Sequence, residues 1–114
     1  MNLYKKKMNI SRIEQLKKFV EEEPEDPFNI YALATEYLQE EPLLALSYFE
    51  ELLSKHPNYL GTYYHAGKLY YNLGDVNKSK EVLEKGIQVA FNQQKAKALS
   101  ELRSVLNEIL DEEL

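Results

Sequence analysis

The amphipathic pattern of residues 30–37 returns 33 residues later. Ile30, Leu33, Ala34 and Tyr37 map onto Tyr63, Ala66, Gly67 and Tyr70 by that single offset. Each set falls at i, i+3, i+4 and i+7, which is one stripe of an α-helix. A second pair of stripes, Ala45, Phe49, Leu52 and Ser79, Leu83, Gly86, is related by an offset of 34. The offset is constant along each helix and grows by one only in the turn, where Leu73-Gly74-Asp75 replaces the shorter Glu40-Glu41. A duplicated helical hairpin leaves this signature, because helices hold their register while turns tolerate a change of length. A unit this short cannot bury its apolar stripes alone. Copies must stack, and the terminal ones become caps.

The better-formed copy is residues 61–86, GTYYHAGKLYYNLGDVNKSKEVLEKG. Large and very small residues alternate along it. Ala66, Gly67, Ser79 and Gly86 let two helix backbones approach, and Tyr63, Tyr70 and Leu83 fill the space between them. Gly74 can take the positive φ that ends the first helix, and Asp75 can cap the second.

Breaks elsewhere divide the chain into six helices. A first helix, about 11–23, opens on Ser11-Arg12-Ile13-Glu14, which reads as a capping box. It turns Ile13, Leu16, Phe19 and Val20 inward and stops before Pro24. Leu16, Phe19 and Pro24 lie 33 before Phe49, Leu52 and Pro57, so this helix is the second half of a repeat whose first half is missing. Repeat 1 spans about 26–57. Asp26 caps its first helix, with Pro27 where a first-turn N–H is expendable. Glu40-Glu41-Pro42 breaks it, and Ala45, Phe49, Leu52 and Leu53 face inward up to the stop at Pro57. Repeat 2 spans about 58–91, with helices near 59–73 and 76–91. A sixth helix, about 94–110, carries Ala98, Leu99, Leu102, Val105, Leu106, Ile109 and Leu110. Residues 1–10, with Lys5-Lys6-Lys7, read as a flexible basic tail, and 111–114 as an acidic tail that frays. No stretch reads as a strand. The fold class is all-α, and 114 residues suffice for one domain over 11–110.

Composition narrows the function. Acidic residues outnumber basic ones 19 to 14, for a net charge of −5, which argues against nucleic acid as a partner because duplex binding needs several cations to displace counterions. The apolar runs are too short to span a bilayer, and no apolar segment follows the basic start as a secretory signal requires. With no Cys there are no disulfides or thiolate metal sites, which fits a cytoplasmic protein. No phosphate-binding Gly-rich loop, nucleophile context or ligand-spaced His/Asp/Glu cluster is present, so neither catalysis, nor a metal, nor a cofactor is expected. His56 reads as a helix-end residue and His65 as a structural or surface one. The runs Glu21-Glu22-Glu23, Glu40-Glu41 and Glu50-Glu51 read as solvation.

The hairpin pattern resembles the tetratricopeptide repeat, whose first helix carries an aromatic-x-x-Leu-Gly-x-x-Tyr stripe. Gly-Asp follows at the turn, then Ala-x-x-x-Phe-x-x-Ala and a Pro on the second helix. Tyr63, Ala66, Gly67, Tyr70, Gly74, Asp75, Ser79, Leu83 and Gly86 match one copy, and Ile30, Leu33, Ala34, Tyr37, Ala45, Phe49, Leu52 and Pro57 match another. The resemblance covers about residues 12–91 and is to small stand-alone bacterial members. It implies a solenoid of antiparallel hairpins with a half-repeat N-terminal helix and a C-terminal capping helix. Phe91 stands where the closing Pro belongs, which predicts that the fifth helix runs on.

The resemblance further implies a scaffold that binds a partner peptide or helix on a concave face lined by the first helix of each hairpin. The strip beside the core stripe there holds Phe28, Tyr31, Thr35, Leu38 and Gln39, and in the next copy Tyr64, Lys68, Tyr71 and Asn72. Tyrosine suits such a surface, with a large area, a polar tip and only two χ angles to freeze. Helix 1 or helix 6 folded over these tyrosines would instead make them ordinary core. Members that grip the C-terminal carboxylate of chaperones place a Lys and Asn pair where Tyr31 and Thr35 stand here, so that activity is not expected. The rival to an adaptor or assembly factor is a structural self-association unit, a homodimer formed through exposed Tyr and Leu.

Overall fold

Three helices begin where a short polar side chain, Asn9, Asp26 or Asp75, accepts a free N–H group of the first turn. In the computed structural model, which describes residues 8–114, the described residues form six helices joined by short turns. The chain divides into two compact units, one ending at His56 and the other beginning at Pro57. The basic stretch Lys5-Lys6-Lys7 lies outside the described residues. The described residues contain no strand.

The first unit holds α1 (Ile10–Glu22), α2 (Pro27–Tyr37) and α3 (Pro42–Lys55). The cap of α1 differs from the expected Ser11 box. Asn9 Oδ1 accepts the Arg12 N–H at 3.0 Å, so the helix starts ahead of Ser11, which becomes an exposed first-turn residue. The Asn amide lies at the right distance for the third helical N–H, and the hydroxyl two residues on is then redundant. Asp26 caps α2 as expected, taking the Phe28 N–H at 2.9 Å with Pro27 in the first turn. α3 covers the span that Pro42 and Pro57 predict, with no side-chain cap bond at its start.

α2 packs against both α1 and α3. The core of this unit is Ile13, Leu16, Ile30, Leu33, Ala34, Tyr37, Ala45, Phe49 and Leu52, all buried. Three expected members lie outside it. Val20 and Leu53 are half-buried, and Phe19 is 39% exposed although its counterpart Leu52 is fully buried. Phe19 lies about 60° round the helix from Leu16, at the margin of the stripe formed with Ile13. Tyr37 and Tyr48 stack with centroids 5.9 Å apart, and an Arg12–Glu36 ion pair of 2.9 Å ties α1 to α2. That pair is exposed on its Arg side, so it contributes only about 0.2–1 kcal/mol.

The second unit holds α4 (Gly61–Asn72), α5 (Val76–Asn92) and α6 (Ala96–Glu112). Gly74 ends α4 at φ 90°, donating to the Tyr71 carbonyl at 3.0 Å while Asp75 N–H reaches the Tyr70 carbonyl at 2.9 Å. This paired closure is the Schellman arrangement, which wants a residue without a Cβ. Asp75 then caps α5 through the Lys78 N–H at 3.1 Å. Across the hairpin the small residues do as their spacing implies. The buried Ser79 hydroxyl donates to the Gly67 carbonyl at 2.6 Å, and a Cβ on Gly67 would sit 2.5 Å from Leu83 Cδ2. Tyr63 is sealed in, with its hydroxyl donating to the Pro57 carbonyl.

α5 runs one residue past Phe91, in line with the missing Pro. Its end repeats the Schellman geometry without glycine. Gln94 takes φ 57°, its N–H meets the Phe91 carbonyl at 3.1 Å, and Lys95 N–H meets the Ala90 carbonyl at 2.9 Å. Gln93 Nε2 also donates to the Asn58 carbonyl at 2.8 Å. α6 buries Leu102 and Ile109 and packs on both α5 and α4. It continues through Asp111 and Glu112, where a frayed acidic tail was expected. Lys80 on α5 pairs with Glu113 at 3.1 Å and gives the last turn a cation to close on.

Candidate protein-binding surface

Two neighbouring tyrosines of α4 have opposite environments. Tyr63 is 1% exposed, while Tyr64, 100° further round the helix, is half-buried. Tyr70 and Tyr71 repeat the contrast one heptad later. The core stripe and the strip beside it are therefore distinct faces of one helix. Lys68 stands between the two outer tyrosines, its Nζ donating to the Tyr64 hydroxyl at 3.3 Å and lying 5.0 Å from the ring centroid. Asn72 is exposed at the end of the strip.

Lys68, Tyr71 and Asn72 line one side of a cleft of about 190 Å³. Val105, Glu108, Ile109 and Glu112 of α6 form the other side. α6 thus flanks the strip and leaves Tyr64 and Tyr71 half-exposed. The α6 residues are absent from the set expected from sequence. Their spacing marks one face of α6, but nothing in that spacing says that this face turns toward α4.

In the first unit the corresponding strip of α2 is less uniform. Phe28 is 57% exposed and Gln39 is exposed. Tyr31 is half-buried and sets its ring edge-on to Phe49, centroids 6.4 Å apart. Burial raises its hydroxyl above the usual phenol pKa. Thr35 donates its hydroxyl to the Ala32 carbonyl at 2.8 Å, and Leu38 is half-buried just past the helix end.

His65, beside Tyr64, is half-buried with its ring edge-on to that tyrosine at 5.5 Å. Burial first, and the Lys68 charge second, push its pKa below 6.5, so the imidazole is neutral at pH 7. Among the described residues no group of three or more His, Asp or Glu comes together as a metal site. No helix among them is long and apolar enough to cross a membrane.

A family model described as tetratricopeptide repeat matches residues 36–102. A comparison with curated proteins finds no significant match. Among solved structures, the crystal structure of a tetratricopeptide repeat domain protein from Salinibacter ruber is 41% identical, with a TM-score of 0.73. The match covers 75% of this chain and 97% of that one. The solution structure of the tetratricopeptide repeat domain protein from Salinibacter ruber is 43% identical, over 76% and 89% of the two chains, with a TM-score of 0.72. A Bordetella parapertussis protein shares the fold at 21% identity, with a TM-score of 0.75 and 88% of each chain covered. A family match over more than half the length, with this identity to the Salinibacter domain, means that the chain belongs to the tetratricopeptide repeat family, an all-α helical-repeat fold.

Proposed function

We propose that this chain is a cytoplasmic adaptor or assembly factor that holds a segment of a partner protein against the outer strip of its repeat helices. Tetratricopeptide repeats generally bind protein partners and generally act as non-catalytic scaffolds. The observation that carries the reading is the split between adjacent tyrosines. Tyr63 and Tyr70 are buried in the hairpin, whereas Tyr64 and Tyr71 are only half-buried beside the exposed Lys68 and Asn72. Half-buried tyrosines, with only two χ angles to freeze, lose little entropy when a partner covers them. On α2 the same role falls to Phe28, Tyr31, Thr35, Leu38 and Gln39.

Partner capture by wild-type protein and by Tyr64→Ala and Tyr71→Ala variants tests this, with circular dichroism to verify the fold. Weakened capture with intact helicity supports the surface, and unchanged capture by both variants removes it. The second reading, a homodimer, draws on Leu43 and Phe91, which are 71% and 62% exposed. Light scattering that shows a strict monomer at micromolar concentration excludes it.

A further inference from the structure

We propose that the cleft between α4 and α6 takes one basic side chain, an arginine above a lysine, from the partner segment. This rests on the reading above and adds the chemistry of one contact. The size of the cleft decides what kind of group enters. About 190 Å³ is smaller than the roughly 300–1,000 Å³ of pockets for drug-sized ligands, and a helix about 10–12 Å across does not fit. One long side chain does.

The lining decides the charge. Glu108 and Glu112 stand one turn apart on the α6 wall, and like charges at that spacing repel. Among the described residues neither carboxylate belongs to an ion pair, whereas Glu113 beside them is paired to Lys80. They sit in the last turns of α6, which hold no Lys or Arg, and a helix C-terminus adds its own partial negative charge. Lys68 lines the cleft, but its ammonium lies on the Tyr64 hydroxyl, toward the start of α4. The complement of this lining is a cation on an apolar stem. The stem packs on Val105 and Ile109, and the head meets the two carboxylates and the Tyr71 ring. A guanidinium serves better than an ammonium, because its planar fork matches carboxylate oxygens and stacks on an aromatic face.

The test uses N-acetyl-arginine methylamide and its neutral isostere N-acetyl-citrulline methylamide as probes. Each is titrated into the labelled full chain and followed by amide chemical shifts. The expected result is saturable shifts at Tyr71, Asn72, Glu108 and Glu112 with the arginine probe, and at least about tenfold weaker binding of the citrulline probe, equivalent to about 1.4 kcal/mol. The Glu108→Gln/Glu112→Gln variant should lose that preference. The citrulline comparison is made on the wild-type chain, so it stands even where the variant folds poorly. Equal responses to the two probes, no saturable response, or arginine shifts unchanged by the double variant overturn the proposal. So do shifts centred on Glu21-Glu22-Glu23 of α1. Partner capture by Tyr64→Ala, a residue outside the cleft lining, is measured in parallel. Absence of an arginine preference in the wild-type chain, with Tyr64-dependent capture intact, overturns the cleft assignment alone. Arginine preference without Tyr64 dependence overturns only the broader strip.

Discussion

A Cβ added to Gly86 would lie 2.5 Å from the Cβ of Tyr63, a separation that real side chains do not reach. The two residues are one of the close contact points of α4 and α5. The obstructing atom is held by the α4 backbone, so the clash is relieved only by moving a helix. Gly86→Ala is therefore expected to destabilise by about 1–3 kcal/mol, the usual cost of overpacking, despite the better helix propensity of alanine. Gly67→Ala meets Leu83 Cδ2 and Cγ instead, atoms further along a side chain, and should cost less. Urea unfolding of both variants gives the order. A Gly86→Ala protein as stable as wild type contradicts the close packing.

Gln94 holds φ 57° where Gly74, in the equivalent closure of α4, holds φ 90°. A residue with a Cβ in that region carries strain of about 1–2 kcal/mol, partly offset in a Gly variant by greater freedom of the unfolded chain. Gln94→Gly should raise stability by about 0.5–1 kcal/mol. Lys95 makes no side-chain cap bond to α6, so Lys95→Asp should add a further gain of about 0.5–1 kcal/mol. Thermal melts of the single and double variants check both steps.

Acid should weaken the fold through His65. Its pKa is lowered in the native state, so the unfolded chain binds a proton more readily. The stability it supports is fully present above the unfolded pKa of about 6.5. It is lost as pH falls through that value toward the lower native one. Unfolding midpoints measured from about pH 7.5 to 5.5 should fall, and His65→Gln should fall less steeply. Parallel curves for the two proteins contradict the assignment.

The particular residues show what the chain makes legible. The offset from Ile30 to Tyr63 and from Phe49 to Leu83 reveals the hairpins, because burial repeats with the helix period. Asp26, Pro42, Gly74 and Asp75 mark their boundaries through local chemistry that needs no knowledge of the rest of the fold. Features that depend on a neighbour are hidden. Asn9 displaces Ser11 as a cap because two acceptors compete for the same turn. Phe19 fits a generous stripe but stays partly exposed. Gln94 adopts a left-handed turn that its identity disfavours, since the closure from α5 to α6 imposes it. The Glu108 and Glu112 wall is invisible until α6 has a direction.

The measurement closest to the central claim compares Tyr63→Ala with Tyr64→Ala. Tyr63 fills the hairpin core, so its truncation should cost about 3–5 kcal/mol and abolish the helical signal of a marginal domain. Tyr64→Ala should keep that signal and lose partner capture. If Tyr64→Ala and Tyr71→Ala both capture the partner as wild type does, the division of the α4 tyrosines between core and binding strip is wrong.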